Sequence, residues 1–511
     1  MASKILMGDI PELMENIFDN LKNEYYSLYS CSLVNRYWCK ISIPILWEDP
    51  FSFEQPFTPD NRLQNPSFIS KYFSSLDEDE KFMLEEYVIN PEFSKTLFDY
   101  TKFLKVLNLF CLEILVGEWI DLQLNDSKPP SDPSIYNITN LLLKLFIKNG
   151  ASLRKLHLNF SDHTKILPET FYFLGQNVQF FSQIQELSLC IISDFSTEDA
   201  IGFLRILAAN TTKISSLKFV EFYSHYDPQV YRALINIIKS QEQLLYFNIF
   251  DGEDFPEKNY HGIISALESQ KNSLRELIIK HCICNEEFKV LKTSENLEIL
   301  RIKYCTKLLT LSDYKLSTLE IVDRPIDASK IVLILEKSGT LLQRLKLESE
   351  NEMILEQSLL LETLRSFCPN IIYLEILNFK FSSKFSDLIS NLQNLQFLSL
   401  WCFWSIDDIT PEQELVSQFA ERLPLTLQYL DLRNSCLSSY TDILLNNCYS
   451  PLNKLLVDIL HKEKQVKAII EFCKRKKTLN YVGVNILVDK FRKELEEYVI
   501  LRPRYRIVVN F

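Results

Sequence analysis

LRELIIKHC, residues 274 to 282, and LEILRIKYC, residues 297 to 305, are two copies of one line. Each has apolar residues at its first, fourth and sixth positions and ends on Cys. The apolar residues two apart fit a short strand whose side chains alternate between its faces. The same L-x-x-L-x-L pattern, with Ile, Val or Phe allowed, recurs upstream as LKVLNL at Leu104, LRKLHL at Leu153, IQELSL at Ile184, ISSLKF at Ile214 and LLYFNI at Leu244. Downstream it continues as LSTLEI at Leu316, LQRLKL at Leu342, IIYLEI at Ile371, LQFLSL at Leu395, LQYLDL at Leu427, LNKLLV at Leu452 and LNYVGV at Leu479. That makes about fourteen copies, mostly about 19 to 32 residues apart, and no copy can bury its apolar face alone. Between copies lie amphipathic helical stretches such as DAIGFLRILAAN (199–210), DPQVYRALINIIKSQ (227–241) and KQVKAIIEFCKRKK (464–477). A strand followed by a returning helix brings the next strand in parallel. The expected fold class is therefore α/β: a curved solenoid with parallel strands on its concave face and helices outside.

This pattern resembles the leucine-rich-repeat family over residues 100–511, and the Cys at 282 and 305 falls where Cys-type repeats carry one. The early copies are irregular. About 49 residues separate the first two, and KPPSDPSIYN (128–137) reads as an inserted loop. RYRIVVNF, the last eight residues, reads as a closing strand after a helix LVDKFRKELEEYVI (487–500).

Composition narrows the function. Among 511 residues, 47% are hydrophobic and 24% charged, a globular balance, and the formal charge of -12 disfavours phosphate backbones and anionic membranes. No apolar run approaches the roughly 20 residues of a membrane span. Twelve Cys without a CxxC pair, and no leader in front of them, predict reduced thiols in the cytosol or nucleus. The Asn137 and Asn159 sequons are then chance matches. Nine Gly leave few phosphate-cradling turns, and the common nucleotide, hydrolase and metalloprotease motifs are absent. No cofactor, metal or catalytic residue is expected.

The N-terminus differs in kind. GDIPELMENIFDNL (8–21) places Ile10, Leu13, Met14, Ile17, Phe18 and Leu21 at helical spacing, with Asp9 and Glu12 as a capping box and Pro11 in the first turn. With Val34-Asn35-Arg36, Trp38 and Leu46-Trp47, the stretch resembles an F-box, the three-helix module of ubiquitin-ligase assembly. The resemblance implies docking on a Skp-family adaptor, and through it on a cullin. Ile10, Pro11 and Leu13 match the opening adaptor contact, while Ile17, Val34 and Trp38 match positions that build the core or reach the adaptor. Ile10 replaces the commoner Leu, and Pro44 is expected to interrupt the third helix. The competing expectation is that this apolar stripe caps the first repeat. The domain scheme is thus an F-box-like module at 1–51, a helical connector or cap at 52–99 built around SSLDEDEKFMLEEYV, and the solenoid at 100–511.

Strand alternation sends Tyr373, Glu375, Phe397, Trp401, Tyr429, Asp431, Lys454 and Tyr481 to the concave side, with Arg433 just beyond. Tyr373, Phe397 and Tyr429 are expected to form an aromatic row which, with Trp401 and Arg433, engages a client protein. The alternative is that the rings pack flat on one another. His281-Cys282-Ile283-Cys284 lacks the distant partner pair a tetrahedral metal site needs, and Lys474-Arg475-Lys476-Lys477 suits a helix end better than an import signal. The expected function is substrate recognition in a Skp–cullin–F-box ligase. The alternative is a leucine-rich-repeat scaffold or inhibitor outside any ligase, and a GTPase modulator or hidden hydrolase comes third.

Overall fold

The structure is a computed structural model that describes residues 11–22, 24–51, 66–87, 95–124, 132–160, 167–191, 197–220, 227–250, 260–282, 286–305, 315–350, 352–401 and 411–502. It divides into two compact units, Met1–Glu253 and Asp254–Phe511.

The first unit opens with three helices, α1 (Pro11–Asn20), α2 (Tyr25–Ser32) and α3 (Arg36–Leu46). Asn35 caps α3 by accepting the Trp38 N–H at 2.9 Å. Pro44 does not interrupt α3 as expected. It lies inside the last turn, where a missing N–H and the ring clash disturb the least helix. Met14, Phe18, Leu28 and Leu46 form the core of this head, with Tyr37, Trp38 and Ile41 packed around them.

Five strands come next, β1 (Val106–Asn108), β2 (Lys155–Phe160), β3 (Glu186–Ile191), β4 (Ser216–Val220) and β5 (Tyr246–Ile249). They pair in parallel and in chain order, with Leu107, Leu156, Leu187, Leu217 and Phe247 in one register and all buried. Helices bring the chain back between strands. Asp227, for example, caps Pro228–Ser240 by accepting the Gln229 and Val230 N–H groups. The long interval between β1 and β2 holds two helices, Leu109–Leu124 and Asp132–Lys148. The second overturns the expected loop of 128–137 from residue 132 onward, 128–131 lying outside the described residues: Asp132 and Pro133 start a helix whose apolar face buries Ile138, Leu142 and Phe146.

The second unit repeats the scheme with β6 (Glu276–Lys280), β7 (Ile299–Lys303), β8 (Thr318–Asp323), β9 (Arg344–Ser349), β10 (Tyr373–Leu377), β11 (Phe397–Trp401), β12 (Tyr429–Asp431), β13 (Lys454–Leu460), β14 (Tyr481–Leu487) and β15 (Ile500–Arg502). Neighbours again pair in parallel and in order. Among the described residues the last helix ends at Glu496, short of the expected 500, and the last strand is Ile500–Arg502; the strand expected at 504–511 lies outside the described residues. In each unit strands about 4.8 Å apart sit opposite helices that need about 8 to 10 Å, so the strand side is the inside of the curve. The fold class is α/β, a helical head followed by a repeat solenoid.

One hydrogen-bond unit repeats along both ladders. The carbonyl just before a strand accepts two N–H groups from the next repeat, as Lys105 does from Arg154 and Lys155, and Gln396 from Gln428 and Tyr429. Glu48 begins the series: its carbonyl accepts the N–H groups of Lys105 and Val106, each at 2.9 Å. The chain leaving α3 therefore occupies the place of a repeat before the first.

Candidate functional site

Two surfaces stand out in this arrangement. On the head, the apolar stripe of α1 is wider than the core it serves. Met14 and Phe18 point inward, whereas Leu13 and Ile17 are 41% and 43% exposed. Val34, between α2 and α3, is 58% exposed, and Leu33, Tyr26 and Tyr29 are exposed too. Trp38 is half-buried and packs edge-on to Phe18 with ring centroids 5.4 Å apart, so it is chiefly a core residue of the head. Pro11 begins α1, and Ile10 lies outside the described residues.

The contact between head and solenoid uses other residues. Trp47 lies 4.0 Å from the Tyr100 ring and edge-on to Tyr72 at 5.4 Å. Phe51, fully buried, packs against Phe68, Tyr72 and Phe146. Lys22 pairs with Glu48. The cap is made by Trp47, Glu48 and Phe51, and Leu13, Ile17 and Val34 stay open to solvent.

The second surface is the concave side of the second unit. Register aligns Tyr373, Phe397, Tyr429, Lys454 and Tyr481 across five strands. Tyr373 and Phe397 stack at 6.1 Å and Phe397 and Tyr429 approach to 5.9 Å. The row is packed on itself: Tyr373 is 6% and Tyr429 5% exposed, while Phe397, Trp401 and Arg433 are half-buried. Its floor includes Leu456, fully buried beside Tyr429 and flanked by Phe397 and Tyr481. The L-x-x-L-x-L line counts Leu456 as an outward position, and only its aromatic neighbours account for its burial. Burial, with Glu375 alongside, raises the Tyr373 hydroxyl above its ordinary range, and that hydroxyl donates to Glu375 Oε2 at 2.6 Å. Burial likewise raises Tyr429, helped by the Asp431 carboxylate. Arg433 is held in a two-pronged pair by Asp431, with Nε donating to Oδ1 at 2.8 Å and Nη2 donating to Oδ2.

Earlier strands carry interdigitated charges. Glu186 lies between Lys155 and Lys218, at 2.8 and 2.9 Å. Burial opposes its ionisation, but the two lysines outweigh burial and bring its carboxyl down to about 2. Glu320 is ringed by Arg301, Lys303 and Lys346, and these cations hold it below its ordinary range against the cost of burial. At the strand ends His281 stacks on Tyr304 at 4.3 Å, and Arg324 lies over the Tyr304 ring at 4.6 Å while pairing with Glu350. Sequence reading passed over this cluster, although His281 and Tyr304 share the eighth position of the two opening lines.

The weaker expectations also find places. Among the described residues no three His, Cys, Asp or Glu side chains gather as metal ligands, and Cys284 lies outside that set. Asp77 and Glu80 form a capping box at the start of Glu78–Tyr87 and pair with Lys148. The basic run ends the helix Glu463–Lys476, where Arg475 donates to the carbonyls of Leu445, Asn446 and Cys448 at the end of the preceding helix. Among the described residues no helix is long and apolar enough to cross a membrane.

No protein-family model matches the chain, and no curated protein matches it in sequence. Solved structures offer fold-level likenesses. A chain from the crystal structure of the Rad7 and Elc1 complex of yeast is 14% identical, with 78% of this chain and 93% of that one covered and a TM-score of 0.39. A Bacteroides fragilis protein is 13% identical, with 64% and 75% covered and a TM-score of 0.30. At these scores neither bears on what the chain does.

Proposed function

We propose that the chain is a non-catalytic substrate-recognition subunit of a Skp–cullin–F-box type ubiquitin ligase, with the head docking the adaptor and the solenoid holding a client. The observation that supports it most is the division of labour on the head. Trp47, Glu48 and Phe51 already cap the first repeat, so capping does not account for the exposed Leu13, Ile17 and Val34. A head of about 50 residues has little core to spare, and three large apolar side chains left in water are better explained by a partner than by folding. The subunit's contribution is proximity: a client held near a transfer enzyme meets it at raised effective concentration.

The test is binding of the purified full chain to a Skp-family adaptor, beside a Leu13→Glu, Ile17→Glu double variant. The proposal expects capture of the Skp-family adaptor by the unaltered chain, and at least tenfold weaker capture by the variant with its far-UV circular dichroism unchanged. Failure of the unaltered chain to bind it, or full binding by the variant, overturns the proposal. If the unaltered chain does not bind, the reading is a repeat scaffold or inhibitor acting outside this kind of ligase.

A further inference from the structure

We propose that Cys282 and Cys305 are a modification site, a thiol pair that a peroxide oxidises to a disulfide fastening two neighbouring repeats. The parallel register of β6 and β7 ends with Lys280 opposite Lys303 and the His281 N–H donating to the Lys303 carbonyl, and Cys282 and Cys305 each stand two residues beyond that pair. Both residues are preceded by a left-handed turn, His281 at φ 50° and Tyr304 at φ 58°, so the two chains leave the sheet along the same path. The stacked rings of His281 and Tyr304 show that this correspondence extends to the side chains. Neighbouring parallel strands lie about 4.8 Å apart, within the roughly 4.4 to 6.8 Å between Cα atoms that a disulfide spans. The sulfurs are already in contact: Sγ to Sγ is 2.9 Å, and the Cys282 N–H donates to Cys305 Sγ at 3.0 Å. Reaching a disulfide's S–S length of about 2.05 Å takes a shift of under about 1 Å between them.

Both side chains are nearly closed to solvent, so the reagent that fits is small and uncharged, hydrogen peroxide, and the reaction is slower than at an exposed thiol. In the first step one thiolate attacks peroxide: an S–O bond forms, the O–O bond breaks, and the departing hydroxide takes a proton to become water. The sulfur, now sulfenic acid, has lost two electrons to the peroxide. In the second step the other thiolate attacks that sulfur: the S–S bond forms, the S–O bond breaks, and hydroxide leaves to become a second water. Two thiols and one peroxide give one disulfide and two waters. The link lies beside the cluster of His281, Tyr304, Arg324 and Glu350, and fixes the turn on which its first two members sit.

The experiment uses the full chain, folded, exposed to hydrogen peroxide, then denatured, alkylated and mapped by mass spectrometry. Two of the twelve cysteines escape alkylation, one cross-linked peptide pair contains Cys282 and Cys305, and dithiothreitol restores both. Cys282→Ser and Cys305→Ser each abolish the cross-link. Alkylation of all twelve, a link from either residue to another cysteine such as Cys284, or recovery of Cys282 or Cys305 only as sulfinic acid would each overturn the proposal. Because the unaltered protein supplies the deciding map, the result stands even if a variant folds poorly.

Discussion

At residue 339 an added Cβ would run into the Leu335 carbonyl oxygen, and would lie 2.6 Å from that of Phe367 and 2.8 Å from Cys368 Sγ. Two of those three neighbours are backbone and cannot rotate away. Gly339→Ala is therefore expected to cost about 2 kcal/mol or more, as overpacking does, measured by urea unfolding. Nothing in the local sequence announces this, because Phe367 and Cys368 come from the next repeat. Glu186 makes a prediction about pH. Its carboxyl is depressed from 4.5 to about 2 in the folded protein, so the stability it contributes is fully present above about pH 4.5 and is lost as pH falls toward 2. Glu186→Gln should thus destabilise the protein at about pH 6, and the difference from the unaltered chain should shrink to nothing near pH 2. A difference that persists at pH 2 would mean that Glu186 acts through packing. The charges of Lys155, Glu186 and Lys218 are plain in the sequence, but their pairing depends on the register of β2, β3 and β4.

Over residues 8–21 the periodicity identifies six apolar positions, four of them on α1, but it does not divide them between core and surface. The structure assigns Met14 and Phe18 to the core and leaves Leu13 and Ile17 outside. Phe18→Ala should then cost about 3 to 5 kcal/mol, whereas Leu13→Glu with Ile17→Glu should leave the melting temperature nearly unchanged. If both changes destabilise equally, the helix is rotated from this position. The same limit shows on β13. Strict alternation sends Leu456 outward with Lys454, yet Tyr429, Phe397 and Tyr481 close over it. Leu456→Ala is expected to cost about 2 to 5 kcal/mol, the loss of a packed core leucine. Phe397 stands between two more deeply buried tyrosines, so a client would meet the edges of a packed row, not three separate rings.

For the first unit as a whole, the joint between head and repeats decides what can fold alone. Phe51 has no surface left free, and its partners Phe68, Tyr72 and Phe146 all lie beyond residue 51. A fragment of residues 1–51 should consequently show no cooperative thermal transition, and the same head within 1–253 should melt cooperatively; calorimetry of the two fragments checks this. A sharp transition from 1–51 would show that the joint is dispensable. The order of residues alone sets the repeat, the strand at each copy from Leu104 to Leu479, and a helical head in front of them, because those depend on the spacing of apolar residues along the chain. It places the helix at 199–210 and misses the one starting at Asp132, where Pro and polar residues opening a helix read as a loop. Contacts made on folding settle which side of α1 is spare, that Glu48 begins the ladder, that the aromatic row is packed, and that Cys282 faces Cys305. Each of those joins residues far apart in sequence, where one residue's exposure depends on what a distant repeat lays against it.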